Sequence, residues 1–270
     1  MVRTLWTAAS GMIAQQTAVD TIANNLANVN TTGYKNETAE FKSLLYQTLQ
    51  TKTTSKNGEN KPIGAQVGLG VRNSSITSHY TQGTLTETGI YTNFAVSGNG
   101  FFAVKAEDGK TYYTRNGVFQ FTAGTNGLVL ATSEGYPVLD TSGNQITIPT
   151  TYNSSNVTVN SSGQLYYTNA DGTTTALGKT IGMYQFNNPA GLLKQSDSLY
   201  AVSDASGAAI NESTNTAVTK SKIYQGYLEA SNVQVADEMV NLIVAQRAYE
   251  MNSKAVQAAD DMMQQANNLR

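Results

Sequence analysis

At 270 residues with 40% hydrophobic side chains, the chain is long and apolar enough to bury a real core, as one large domain or two. Its 17 basic and 19 acidic residues give a net charge of -2 and no broad basic field, which argues against nucleic acid and anionic membrane as partners. The absence of cysteine removes disulfides, thiol nucleophiles and thiolate metal sites together, and leaves the redox compartment open.

The first stretch, MVRTLWTAASGMIAQQTAVD, places Arg3 ahead of a mildly apolar run that Ser10, Gly11, Gln15 and Gln16 interrupt, so it reads as a helix of the mature chain and not as a cleaved signal peptide. No continuous apolar run approaches the roughly 20 residues of a membrane span, so the chain is expected to be soluble when made. Leu5, Met12, Val19 and Leu26 recur every seven positions, with Ala8, Gln15, Ile22 and Val29 as a second row, and this spacing predicts a coiled-coil seam. Asn24, Asn25, Asn28 and Asn30 crowd the end of that helix, although asparagine competes with the helical backbone. Their amides are therefore expected to have partners elsewhere. Gly33 is the expected helix stop, and ETAEFKSLLYQTL reads as a further short helical stretch.

TKTTSKNGENKPIGAQ, residues 51–66, is polar and punctuated by glycine and proline, and on composition alone it is a flexible surface loop. The texture then changes to short apolar runs, FFAVKA, TYYTR, VFQFT, LVLAT and QITIP, separated by EDGK, TNG, SEG and TSGN. Such runs and turns predict an antiparallel β-domain of many short strands, continuing to about Leu199. Residues 201–222 are small and polar and read as a connector. At the other end Val235, Leu242, Tyr249, Val256 and Met263 again stand seven apart in a long stretch free of proline and glycine. Val233, Ala236, Met239, Val240, Ile243 and Val244 widen its apolar surface beyond what one partner helix covers.

Chemistry is sparse along this chain. His79 is the only histidine, which excludes a His-pair metal or catalytic site within one chain, and a surface or strand position is its reading. GLG at 68–70 and GNG at 98–100 lack the strand, third glycine and helix of a dinucleotide site and read as turns. Asp237 with Glu238 and Asp260 with Asp261 diverge on a helix and cannot share a substrate. Tyr112, Tyr113, Tyr166 and Tyr167 could form a sugar platform, but packing in a core or interface is the stronger reading. No cofactor and no small-molecule substrate is indicated, and the two terminal helices read as association surfaces.

SGMIAQQTAVDTIANNLANVNTTGYK resembles the N-terminal signature of the axial proteins that build the rod and hook of the bacterial flagellum. LLYQTL, GNGFF, YTRNGVFQF and YLEASNVQVADEMVNLIVAQRAYEMNSKAV agree in the same order, so the resemblance spans essentially the whole chain. Within the family, the length and the segment at 51–66 are most similar to distal rod members. Proximal rod or hook subunits are the close alternative, and a wall-associated carbohydrate-binding β-module a more distant one. The resemblance implies an α+β fold in which long N- and C-terminal helices pair as an antiparallel coiled-coil inner domain, with a mainly antiparallel β-domain outside. It divides the chain at 1–50, 51–66, 67–222 and 223–270. It also implies a non-enzymatic structural subunit, forming with its own copies a helical drive shaft and export channel outside the cytoplasmic membrane, exported without a cleaved signal peptide. Implied partners are proximal rod proteins, the hook protein, the rings around the rod and the export apparatus. The assembly residues it implies are Leu5, Met12, Val19, Ile22, Asn24, Asn25, Leu26, Asn28 and Val29 at the first helix, and Val235, Met239, Leu242, Tyr249, Val256 and Met263 at the last. Thr51, Lys56, Asn57, Lys61 and Pro62 would belong to a segment that stiffens the rod by reaching onto neighbouring subunits.

Overall fold

The computed structural model describes residues 2–50, 65–124, 127–149, 151–169 and 173–268, and the chain divides into two units. The first comprises residues 1–27, 37–78 and 234–270, and the second residues 28–36 and 79–233.

The first unit contains α1, Val2–Ala27, and α2, Val235–Asn268. Asp237 and Glu238 stand in the first turn of α2, where carboxylates face the positive end of the helix dipole. Asn25 near the end of α1 meets Glu238 at the start of α2, and Gly11 faces Asn252, so the helices run antiparallel. Strand Glu37–Ser43 pairs antiparallel with Val71–Ser78, with a bulge at Glu40/Phe41, and Tyr46–Gln50 pairs antiparallel with Ala65–Gly68. The Ser10 hydroxyl of α1 accepts a hydrogen bond from Val71 N–H at 3.3 Å, tying the strands to the helix.

Two expectations are corrected here. ETAEFKSLLYQTL is not helical but supplies both of the strands Glu37–Ser43 and Tyr46–Gln50. Nor do the helices form the expected coiled-coil inner domain. Of the two predicted seam rows and their C-terminal counterpart only Ala8 is buried, while Val235 and Tyr249 are exposed. The positions buried in α1 and α2 are Ala8, Ala14, Thr21, Asn25, Glu238, Ala245 and Ala259. A heptad count finds residues that share a stripe, but it does not say what the stripe packs on. Here the buried positions of both helices are mostly alanine, and strands join them in the same unit. A Cβ on Gly11 would lie 2.8 Å from Asn252 Nδ2, so the missing side chain is what lets the helices approach at that level.

The second unit is a set of short antiparallel sheets. Its six-stranded sheet runs in the order Leu193–Lys194, Leu199–Ala201, Thr111–Thr114, Phe101–Lys105, Met183–Gln185, Ile210–Asn211. Two three-stranded sheets come from Phe119–Gly124, Gly127–Thr132 and Thr147–Ile148, and from Val157–Val159, Gln164–Thr168 and Thr174–Thr180. Strand Phe101–Lys105 is apolar on both sides because both are covered. Phe102 and Val104 join the larger core with Phe119, Leu130, Ile146 and Ile181, while Phe101 and Ala103 join a second cluster with Tyr113, Phe186 and Tyr200. Tyr113 and the half-buried Tyr167 are thus packing residues, as the strand reading favoured. Residues 201–222 do more than connect: strand Ile210–Asn211 edges the six-stranded sheet, and Glu212 is buried against Ser221 N–H at 2.7 Å.

The passage between α1 and this unit is a tight turn and not a helical cap. α1 stops at Ala27, where Asn28 Oδ1 accepts the Thr31 hydroxyl at 3.0 Å and its carbonyl accepts Thr31 N–H at 3.1 Å. Gly33 has φ +70°, and a Cβ there would lie 2.7 Å from the Arg115 carbonyl carbon, so both conformation and space require glycine.

Burial pushes the Tyr113 hydroxyl up to about 12, with Tyr184 adding to the shift. Because the folded value lies above the unfolded one, this stabilising contribution is complete below about pH 10 and is lost as pH rises toward 12. Tyr113→Phe is therefore expected to flatten the fall of the urea midpoint between about pH 10 and about pH 12, with little change at about pH 8. An equally steep alkaline fall in the variant would contradict the assignment.

Candidate assembly surface

The first unit combines a polar lock with an uncovered apolar surface. Asn25 is wholly buried; its Nδ2 donates to the Glu37 carbonyl at 2.8 Å and to Glu238 Oε1 at 3.2 Å, and its Oδ1 accepts Glu37 N–H at 2.9 Å. One amide thus joins α1, the first strand and α2, which answers for one of the four crowded asparagines. Asn24 is exposed, with Nδ2 at 3.4 Å from Glu37 Oε2, Asn28 holds the turn after α1, and Asn30 is exposed.

Large apolar side chains remain in water on both helices. Trp6 is 69% exposed and Ile13 67%, seven positions apart on α1, and Met239, Val240, Ile243, Val244 and Met251 are exposed on α2. Leu45, Tyr46 and Leu49 continue this on the strands. A water-soluble surface rarely gathers so many large apolar groups unless something covers them. Of the residues singled out in the sequence, Leu5, Met12, Val19, Ile22, Leu26, Val29, Leu242, Val256 and Met263 are half-buried, while Val235, Met239 and Tyr249 are exposed. Val19 and Tyr249 line a groove of about 420 Å³ with Gln16, Gln246 and Glu250. Ile22 lines a cleft of about 290 Å³ with Phe41, Glu238 and Val244. Thr51, Lys56, Asn57, Lys61 and Pro62 lie outside the described residues.

Among the described residues no three His, Cys, Asp or Glu side chains gather to hold a metal. His79 is exposed, and its backbone N–H donates to the Asn36 carbonyl at 2.9 Å. No helix among the described residues is long and apolar enough to cross a membrane.

Sequence reasoning missed one cluster in the second unit. Glu229 accepts from Lys35 Nζ at 2.6 Å and from Arg115 Nη1 at 3.3 Å, and all three side chains are almost fully buried. Lys35 Nζ also donates to the Thr81 carbonyl at 2.7 Å, and Arg115 Nη2 to the Gly98 carbonyl at 2.6 Å. The Arg115 guanidinium lies over the Phe101 ring, 5.1 Å from its centroid. Burial lowers the pKa of Lys35, against the pull of Glu229 and with help from Arg115. Arg115 is lowered by the same burial, with Glu229, Tyr200, Glu212 and Tyr80 opposing. The signal was available: these are three charges in motifs of a chain only 13% charged.

Asn25 generates a test of the lock. Asn25→Ala leaves Glu238 and Glu37 N–H buried without that partner, at an expected cost of about 2–3 kcal/mol. Asn25→Asp, which sets a second carboxylate beside Glu238, is expected to cost more at neutral pH and to recover part of the loss on acidification. Urea melts followed by helical circular dichroism check both, and an Asp variant as stable as wild type would remove the lock.

Comparison with known proteins matches the same features. The family model described as "Flagella basal body rod protein" covers residues 5–35, "Flagellar hook protein FlgE/F/G D1 domain" covers 95–167, and "Flagellar basal body rod FlgEFG protein C-terminal" covers 224–269. The chain is 41% identical to the flagellar basal-body rod protein FlgG of Borreliella burgdorferi, over 100% of this chain and 99% of the relative. It is 42% identical to that of Agrobacterium fabrum, over 96% of each, and 39% identical to that of Buchnera aphidicola, over 100% of each. With both helical ends, the β unit and the full length aligned to one group of proteins, the chain belongs to the flagellar basal-body rod protein family.

Proposed function

We propose that this structural rod subunit polymerises with its own copies into the distal part of the rod, a hollow drive shaft between motor and hook. The observation that carries the reading is the apolar surface left in water on α1, α2 and the strands of the first unit. A helical polymer covers such a surface repeatedly, because each copy offers one patch to the next and the contact does not close on itself. The match to rod proteins over the full chain supports the same reading. In it, Leu5, Met12, Val19, Ile22, Asn24, Leu26, Asn28 and Val29 on one side and Val235, Met239, Leu242, Tyr249, Val256 and Met263 on the other contribute to contacts between copies. Proximal rod and hook proteins are the end-to-end partners, rings surround the shaft, and the export apparatus delivers the chain beyond the cytoplasmic membrane. Catalysis has no part in this reading.

Two experiments test it. Ile243 is exposed, so Ile243→Asp is expected to change monomer stability by no more than about 0.5 kcal/mol. The same variant should abolish polymers in electron microscopy of concentrated protein, because a charge would be buried at the contact. Polymers of normal length and yield from the variant would take this face out of the assembly. Deletion of residues 51–64, which spares the strand Ala65–Gly68, should leave a more curved polymer, because polar contacts onto neighbouring copies, though each worth only about 0–1 kcal/mol, would recur in every subunit. A deletion polymer as straight as the full-length one would assign stiffness to the helices alone.

A further inference from the structure

The Lys35–Glu229–Arg115 cluster is not needed to fill either apolar core of the second unit, yet it sits where two distant passages of the chain meet. Residues 28–36 follow α1 in sequence, and residues 227–233 precede α2. Between them Gly33 N–H donates to the Glu229 carbonyl at 2.8 Å, and Asn36 N–H to Asn232 Oδ1 at 2.7 Å. The Thr32 hydroxyl donates to Asn116 Oδ1 at 2.9 Å. Within residues 28–36 the buried positions are Gly33 and Lys35, neither of which adds to an apolar cluster. Val29 and Tyr34 are half-buried, so the fully buried contacts that hold the passage are directional polar ones.

One carboxylate organises those contacts. Glu229 Oε1 accepts from Lys35 Nζ and, at 3.0 Å, from Gly83 N–H, while Oε2 accepts from Arg115. Two cations pair directly with this one carboxylate, the buried Glu212 acts on Arg115 as a weaker second anion, and Arg115 Nε is buried without an acceptor among the described residues. Removing Lys35's charge leaves a balanced Arg115–Glu229 pair. Removing Glu229's charge leaves two buried cations facing each other, which is a far more costly state.

We propose that Glu229 is the pin of a latch that holds residues 28–36 and 227–233 on the second unit, and that losing its charge frees both passages together while the apolar cores stay folded. A latch of this kind makes the chain's two crossings between units cooperative, since neither is retained without the other. Resting on the rod reading, its use is to decide whether a subunit enters the polymer with both passages fixed.

Hydrogen exchange on the full-length monomer tests this with Glu229→Gln and Lys35→Met. In E229Q the amides of Gly33 and Asn36 in the first passage, of Ala230 in the second, bonded to the Thr84 carbonyl, and of Gly83 should exchange on the order of a hundredfold faster or more. The amides of Val138 and Leu139, bonded within the core to Leu130 and Ala103, should keep their protection. In K35M the passages should stay within about tenfold of wild type, because the remaining pair is balanced. Unchanged passages in E229Q, opening of only one passage, equal loss of protection in the core, or K35M opening as fully as E229Q would each overturn the latch. Because exchange is read on monomers, failure here leaves the rod reading, which is tested on polymers, untouched.

Discussion

The first unit depends on a contact between residues 213 positions apart: the amide of Asn25 against the carboxylate of Glu238. Helices that meet through alanine and glycine can slide, because small side chains offer few interlocking features to set a register. A buried amide cannot slide without breaking its hydrogen bonds to Glu238 and to both backbone groups of Glu37, and each such loss costs about 1–3 kcal/mol. Asparagine, a weak helix former, is retained in α1 because what it loses in propensity is small beside what it specifies. The crowding that looked like a liability is, at Asn25, the register mark of the unit.

Small residues at the buried helix positions also determine what remains outside. Had Leu5, Met12 and Leu242 been consumed by a seam within one chain, little apolar surface would be left for another molecule. With Ala8, Ala14, Ala245 and Ala259 at the buried positions instead, Trp6, Ile13, Val240 and Ile243 stay uncovered. An assembling subunit faces opposing demands, since its own fold and its contacts with copies draw on the same apolar side chains. Here the demands are divided by size: small groups are spent internally, and large ones, which bury more area per contact, are held back.

This division explains which parts were legible in the sequence. The strands at 101–105, 111–114 and 127–132 were legible because apolar runs bounded by glycine turns are local signals. Helical periodicity located α1 and α2 for the same reason, but it could not say that their stripes are only half-buried while alanines take the buried positions. ETAEFKSLLYQTL was misread because its Glu, Ala, Leu and Gln favour helix locally, whereas its strand partners at 65–78 lie beyond the reach of any local pattern. Gly33 was recognised as a stop but not as the close approach to Arg115 that requires it. Asn25 was singled out, though Glu238 was weighed only as one of a diverging carboxylate pair and not as its partner. Lys35, Arg115 and Glu229 stood in quoted motifs and were passed over, because a charge reveals its burial only through partners distant in sequence.

The two polar centres are matched to different tasks by their charge. Asn25 is neutral, so its lock is directional but inexpensive to bury, which suits a contact that only has to set a register. Glu229 serves two cations, so its cluster is costly to bury and far more costly to break at the anion. Burying ionised groups seldom adds much net stability over an apolar filling of the same shape, and stability alone does not account for it here. What the charges add is a shared dependence: Lys35, Gly83 and Arg115 all lose an acceptor together when the one carboxylate is lost. An apolar seam at the same place would weaken gradually as side chains were trimmed. A shared carboxylate instead ties residues 28–36 and 227–233 to one anion, so that both depend on it together.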